Sequence, residues 1–163
     1  MIKIQPLTQT AFALFGDVIE TQASDFFYIN DHQTKRHHAL SHVTALGEVG
    51  ISLFQHLQKT CVPFLIKMLE RHPKGSQAFI PMHNQPFLVV VAPALNKDTP
   101  NLNQICAFIT NGKQGVNYHQ GTWHHPLLTL NAPSLFAVVD RITPDPNCDV
   151  YKFNDGIIIA QTP

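Results

Sequence analysis

Charge is scarce in this chain. Only 13% of its 163 residues are Asp, Glu, Lys or Arg, with 11 of each sign, so the formal net charge at pH 7 is zero. A protein that neutralises phosphates needs a positive footprint, and no run of Lys and Arg interleaves with aromatics here, so nucleic acid is excluded as an expected partner. Long apolar runs are lacking too. The longest, at 87–95, contains Pro93 and is far short of the roughly 20 residues a helix needs to cross a bilayer, so no membrane partner is expected. Cysteine is sparse, and Cys61, Cys106 and Cys148 show no CxxC spacing, which argues against a disulfide framework. The opening MIKIQPLTQTAF has no apolar core of the kind a secretory signal carries, and a cytoplasmic location is expected. With no internal repeat, low-complexity tract or linker, one domain over residues 1–163 is expected, since domains commonly run to about 100–200 residues.

What the chain does have is apolar residues (44%) and twelve prolines, too apolar for a disordered polymer and rich in turn formers. Short strand patterns fall at 17–21, 25–30, 42–46, 51–57, 64–72 and 77–82, then at 87–92, 105–110, 115–118, 124–130, 135–141 and 156–159. Strands at such spacing predict an all-β fold, an antiparallel barrel or sandwich with one or two short helices. Thr8 is placed to cap a helix reaching Phe15 with Gly16 as its stop, and 99–104 is the second helical candidate. Asn111-Gly112 has the composition of a hairpin turn. The polar stretch 30–40, with His32, Lys35, Arg36, His37 and His38, reads as a solvated loop.

Two segments concentrate chemistry. GVNYHQGTWHHP, at 115–126, holds His119, His124 and His125 beside Tyr118 and Trp123; histidine is both the usual acid–base near neutral pH and the commonest metal ligand. LERHPKGSQAFIPM, at 69–82, holds Glu70, His72, Lys74 and Gln77. Residues two apart on a strand share a face, so Glu70 and His72 point together into a barrel while Arg71 points outward. A turn at 73–75 returns Gln77 on the next strand, and His124 can enter from the opposite side. The competing reading makes His72 and His124 core histidines satisfied by Glu70 and Gln77. By alternation His119 shares a face with Gly115 and Asn117, and His125 faces away from His124. Trp123 reads as packing, Tyr118 as either pocket wall or hydrogen-bond donor.

The arrangement resembles a cupin, in which H-x-H-x(3,4)-E and a later G-x-x-H bind a divalent metal inside the barrel. The matching positions are Glu70, His72, Gln77 and His124. Two depart from the pattern: Glu70 stands for the first histidine, and Gln77, a neutral and weaker oxygen ligand, for the glutamate. A closer resemblance, spread over nearly the whole chain, is to the ureidoglycolate lyases of allantoin breakdown. It is carried by FGDVIET, DFFYIN, LERHPKGSQAFIPM, PFLVVVA, AFITNGKQGVNYHQGTWHHPL, VVDR and NCDV.

The resemblance implies a homodimeric enzyme that splits ureidoglycolate, a small-molecule substrate, into glyoxylate and urea. The cupin pattern implies a divalent metal (nickel, zinc or manganese) on Glu70, His72, Gln77 and His124, with a metal-free mechanism as the alternative and no organic cofactor. His72 and His124 would serve the reacting centre as acid and base or as metal ligands, with Glu70 orienting an imidazole or ligating. Gln77 would hydrogen-bond the substrate. Arg141, with its planar fork, is the candidate clamp for the substrate carboxylate, Lys74 a second cation, and His119 a residue at the mouth or a further ligand. Asp140–Arg141 can alternatively be a salt bridge alone. Two other functions stay open at this point: a hydrolase releasing ammonia from the same substrate, and a non-catalytic cupin binding a small carboxylate.

Overall fold

Short β-forming stretches cut by Pro, Gly and Asn give sixteen strands and little helix in the described part of the chain. The computed structural model describes residues 1–22 and 24–160. In order, the first half holds β1 (Ile2–Pro6), α1 (Gln9–Phe12), β2 (Gly16–Ile19), β3 (Phe27–Ile29), β4 (Thr34–Arg36), β5 (Val49–His56), β6 (Phe64–Arg71), β7 (Gln77–Pro81) and β8 (Phe87–Ala92). Then follow β9 (Ala94–Asn96), β10 (Thr99–Pro100), a 3-10 turn (Leu102–Gln104), β11 (Cys106–Ile109), β12 (Gly115–Tyr118), β13 (Trp123–His124), β14 (Leu128–Thr129), β15 (Ser134–Arg141) and β16 (Asp149–Ala160).

Six strands close on themselves in the order β11-β1-β16-β6-β13-β8, because β8 pairs back onto β11. A second sheet, β2-β12-β7-β15-β5, lies against this barrel. Strand β8 shows why. Its run FLVVVA is buried at every position, as expected where both faces of a strand are covered. Leu88, Val90 and Ala92 join Ile66, Leu69 and Trp123 in the barrel core. Phe87, Val89 and Val91 join Phe79, Tyr118 and Phe136 in a second core between barrel and sheet. Each such large apolar side chain contributes on the order of 1.5–3 kcal/mol by leaving water.

The all-β architecture is the one the strand pattern predicts, and the closed barrel agrees with the cupin-like fold the resemblance implies. Several details differ. The barrel is not wholly antiparallel: β1, unread as a strand, runs parallel to both β11 and β16. The stretch 42–46 makes only the bridge Ala45–Gly75, whereas β4 forms inside the segment read as loop. Pro126, lacking an N–H for the ladder, separates β13 from β14. Thr8 does cap its helix, accepting from the Ala11 N–H, but α1 ends at Phe12. At 99–104 the helical part is only the 3-10 turn, and Thr99 and Pro100 are paired as strand. Asn111-Gly112 is not a hairpin turn, since β11 and β12 lie in different sheets. No helix of the described residues is long and apolar enough to cross a membrane.

Candidate active site

Alternation along two neighbouring strands creates the site. In β6, Leu69 fills the barrel, so Glu70 turns to the opposite face; in β13, Trp123 fills the barrel and His124 turns likewise. Glu70 and His124 are direct cross-strand partners. His72, just past the end of β6, brings its ring centroid to 5.2 Å from that of His124. Glu70 and His72 therefore do point together, but not into the closed six-strand barrel, which side chains already fill. They face the space between barrel and second sheet. Arg71 turns toward Trp123, its guanidinium 4.6 Å from the ring, and pairs with Asp149. The loop carrying His124 is tied to the one carrying His72 by Gly121 N–H to His72 O (3.0 Å) and Gln120 Nε2 to Pro73 O (2.7 Å). Gly121 sits at φ +78°, a conformation glycine adopts without strain.

The hydrogen bonds fix which tautomer each neutral ring adopts. His72 Nδ1 lies 2.7 Å from Asn147 O and His124 Nδ1 lies 2.9 Å from Thr122 O. A carbonyl oxygen only accepts, so each Nδ1 carries the hydrogen and each Nε2 of a neutral ring presents a lone pair. Both Nε2 atoms are buried without a hydrogen-bond partner. Glu70 Oε1 lies 3.8 Å from His124 Nε2, too long for a hydrogen bond. Burial, followed by the neighbouring His72, pulls the His124 imidazole down to about 3, which keeps it neutral at physiological pH. Burial likewise raises Glu70, with His72 opposing.

Glu70, His72 and His124 each offer one ligand atom, all within 4.8 Å of one another, and form the one such group found among the described residues. Two imidazoles and a carboxylate suit a divalent transition metal, and rings whose other nitrogen is held by a carbonyl are oriented as metal-ligating histidines are. The orphaned Nε2 pair is the structural sign that the set fits a cation.

A cavity of about 160 Å³ adjoins the group, walled by Phe54, His56, Glu70, Tyr118, His124 and His125 among others. Tyr118 stacks on His124, ring centroids 4.2 Å apart and 8° from parallel, and its buried hydroxyl has no partner. Burial and then the Glu70 charge raise its phenol, so it remains a donor. His125 borders this cavity because β13 ends at His124, where the expected alternation stops. A larger cleft of about 590 Å³ near Leu7 and Gln114 has Glu20 as its one ionisable group, already accepting from Gln114; it offers little chemistry.

The remaining expected site residues are placed differently. Gln77 lies opposite Tyr118 in the ladder and so on the same face, but its amide donates to Asp140 Oδ2 at 2.9 Å. His119 projects from the other face of β12 and pairs with Asp17 (3.2 Å), so it does not join the cluster. Lys74 pairs with Asp145 at 2.5 Å. Arg141 is not a free clamp: its side chain is 4% exposed and donates to Leu46 O, Thr143 O, Asp145 O and the Asp145 carboxylate. Nor does it pair with Asp140. Sequence reasoning missed Asn147 and Thr122, which act through backbone carbonyls that no residue pattern marks. It also missed Cys148, whose thiol lies 3.8 Å from Glu70 Oε2.

A family model described as ureidoglycolate lyase matches residues 1–160. Among relatives named ureidoglycolate lyase, one from Pseudomonas paraeruginosa is 54% identical over 157 residues, covering 94% of this chain and 91% of the relative. Another, from Stutzerimonas stutzeri, is 52% identical over 157 residues with the same coverage. A third, from Azotobacter vinelandii, is 46% identical over 158 residues, covering 95% of this chain and 93% of its own.

Proposed function

The chain belongs to the ureidoglycolate lyase family, and from that premise we propose that it cleaves ureidoglycolate to glyoxylate and urea. The observation that carries the reading is the convergence of Glu70 and two lone-pair Nε2 atoms beside a cavity walled by Tyr118. Ureidoglycolate is a carbinolamide, with hydroxyl, carboxylate and ureido nitrogen on one carbon. In the reaction the hydroxyl proton leaves, C=O forms, the C–N pair goes to nitrogen, and nitrogen takes one proton. Glu70, His72 and His124 would hold a divalent ion such as nickel, zinc or manganese, which when bound supplies Lewis acidity to the substrate oxygens. Tyr118, held protonated, donates a hydrogen bond inside the cavity where charge develops. His56, on the same wall, offers an imidazole to carry the proton from oxygen to nitrogen. Arg141 and Lys74 belong in this reading to the scaffold, and His119 to the outer face.

The reading extends to one domain, a cytoplasmic homodimer and a role in allantoin breakdown. The dimer is supported by the outer face of the second sheet, where Ile51 (78% exposed), Leu53 (63%) and Ile80 (38%) stand unusually open for large apolar residues. Product analysis tests the activity. Purified protein given fresh ureidoglycolate, against an uncatalysed control, is expected to release glyoxylate and urea in equal amounts; ammonia in place of urea would instead make it a hydrolase, and binding without turnover a carboxylate-binding cupin.

A further inference from the structure

Glu70, His72 and Lys74 all meet partners in the connection between β15 and β16. Lys74 N–H donates to Asn147 Oδ1 at 2.7 Å, while the backbone oxygen of the same asparagine accepts from His72 Nδ1 at 2.7 Å. Asn147 is thus gripped on its side chain and grips on its main chain. Two residues earlier, Asp145 is held from both sides: one carboxylate oxygen accepts from Lys74 Nζ, the other from Arg141, whose Nη1 also bonds the Asp145 and Thr143 carbonyls. Arg141 Nε reaches Leu46 O at 2.6 Å, which anchors the whole assembly to the segment before β5. One residue after Asn147, the Cys148 thiol touches Glu70, and Asp149 pairs with Arg71.

We propose that Asn147 is the positioning residue of the metal centre, and that Arg141, Asp145 and Lys74 form the latch that holds it. The physical reason is tautomeric. Nothing on the ring itself dictates which nitrogen of His72 carries hydrogen; the carbonyl of Asn147 does, and only with Nδ1 protonated does Nε2 turn its lone pair toward Glu70 and His124. Partners of this kind around metal-ligating histidines affect metal affinity by about 10–100-fold when removed. A surface salt bridge between Lys74 and Asp145 would contribute little by itself. Its role here is geometric: it keeps the 145–148 segment seated so that one carbonyl stays aimed.

The inference rests on the proposed metal reading, so its test has a readout that needs no metal. Nitrogen-15 imidazole spectra of the metal-free full-length protein, with His72 assigned by a His72→Gln variant, report which ring nitrogen is protonated. Wild type is expected to show Nδ1–H, and Asn147→Ala a mixture with the Nε2–H form. Cobalt(II) titration, followed by absorbance, is expected to weaken about 10–100-fold in Asn147→Ala, and to stay within about threefold of wild type in Asn147→Asp, which keeps the side-chain acceptor. Asp145→Asn, which loosens the latch and leaves Asn147 intact, is expected to shift both readouts the same way by less. A folded Asn147→Ala protein with unchanged tautomer and unchanged cobalt affinity would overturn the proposal. A tautomer shift in Asn147→Ala together with no metal uptake by the wild type would support the positioning and contradict the metal reading alone.

Discussion

His124 is buried, neutral and missing a partner on Nε2, a combination that costs a folded protein about 1–3 kcal/mol for each such group. His72 Nε2 and the Tyr118 hydroxyl repeat the omission around the same space. Core histidines satisfied by Glu70 and Gln77 would not look like this, since Glu70 stands 3.8 Å off and Gln77 bonds Asp140 instead. His124→Asn is therefore expected to lower turnover at least about 100-fold while the protein still unfolds cooperatively near the wild-type temperature; activity within a few-fold of wild type would remove His124 from the chemistry. Tyr118→Phe deletes an unpaired hydroxyl, so its stability should be unchanged or higher, while kcat falls roughly tenfold or more if the phenol donates to the reacting groups. Unchanged kcat would leave Tyr118 as wall. At this scale the sequence was informative wherever strand alternation decides direction: Glu70 with His72 on one face, His119 with Asn117 on the other. It gave no sign that the Arg141 guanidinium, read there as a clamp, is taken up by the distant Leu46 carbonyl and by Thr143 and Asp145, two and four residues on.

The connection between β15 and β16 is the element on which the site leans, and its ionic latch has a defined pH range. Hydrogen bonds from Lys74 and then Arg141 hold the Asp145 carboxyl down to about 2, against an ordinary 3.8. A depressed carboxyl stabilises the fold above its unfolded value and loses that contribution as pH falls through the folded one. Asp145→Asn should therefore melt below wild type at neutral pH by a small margin, since the pair is exposed to solvent, and the gap should close as pH drops from about 4 to about 2. Denaturation followed at stepped pH checks this, and a gap indifferent to pH would mean that the charge is immaterial. Element by element, the patterns that translated most directly were the buried run of β8 and the strands expected at 77–82 and 135–141, which form as β7 and β15. Strand β16 was legible only at 156–159, because Asn154-Asp155-Gly156 reads as a turn. The structure absorbs that turn chemistry as a register irregularity between Lys152 and Ile157 within one long strand. Strand β1 escaped because its parallel partners, β11 and β16, lie at the far end of the sequence.

For the whole molecule, a closed barrel provides the stiff wall from which Glu70 and His124 project, and the second sheet provides Tyr118 and the opposite side of the cavity. That second sheet is largely apolar on its inner face and, toward β5, on its outer one, while Asp17 and Asn117 stand on the outer face of β2 and β12. Its inner face is core, and its outer face carries Ile51, Leu53, Val139, Ile80 and Ile19, a composition that suits contact with another copy of the chain better than contact with water. Leu53→Arg is expected to give a folded monomer by light scattering under conditions where wild type is dimeric; a dimer surviving the charge would place the interface elsewhere. The fold class could be read from strand spacing, but the barrel's closure and the site's position outside it could not, because both depend on which distant strands pair.

Metal add-back decides whether Glu70, His72 and His124 form the metal-dependent lyase centre proposed above. Protein stripped by chelation is titrated with nickel, zinc or manganese while bound metal, glyoxylate and urea are measured together, with His72→Asn treated in parallel. One equivalent of metal per chain is expected to restore equimolar glyoxylate and urea release in wild type (one triad, one ion), while the variant neither retains the ion nor recovers. Full turnover by stripped protein, with no metal regained, would contradict that assignment.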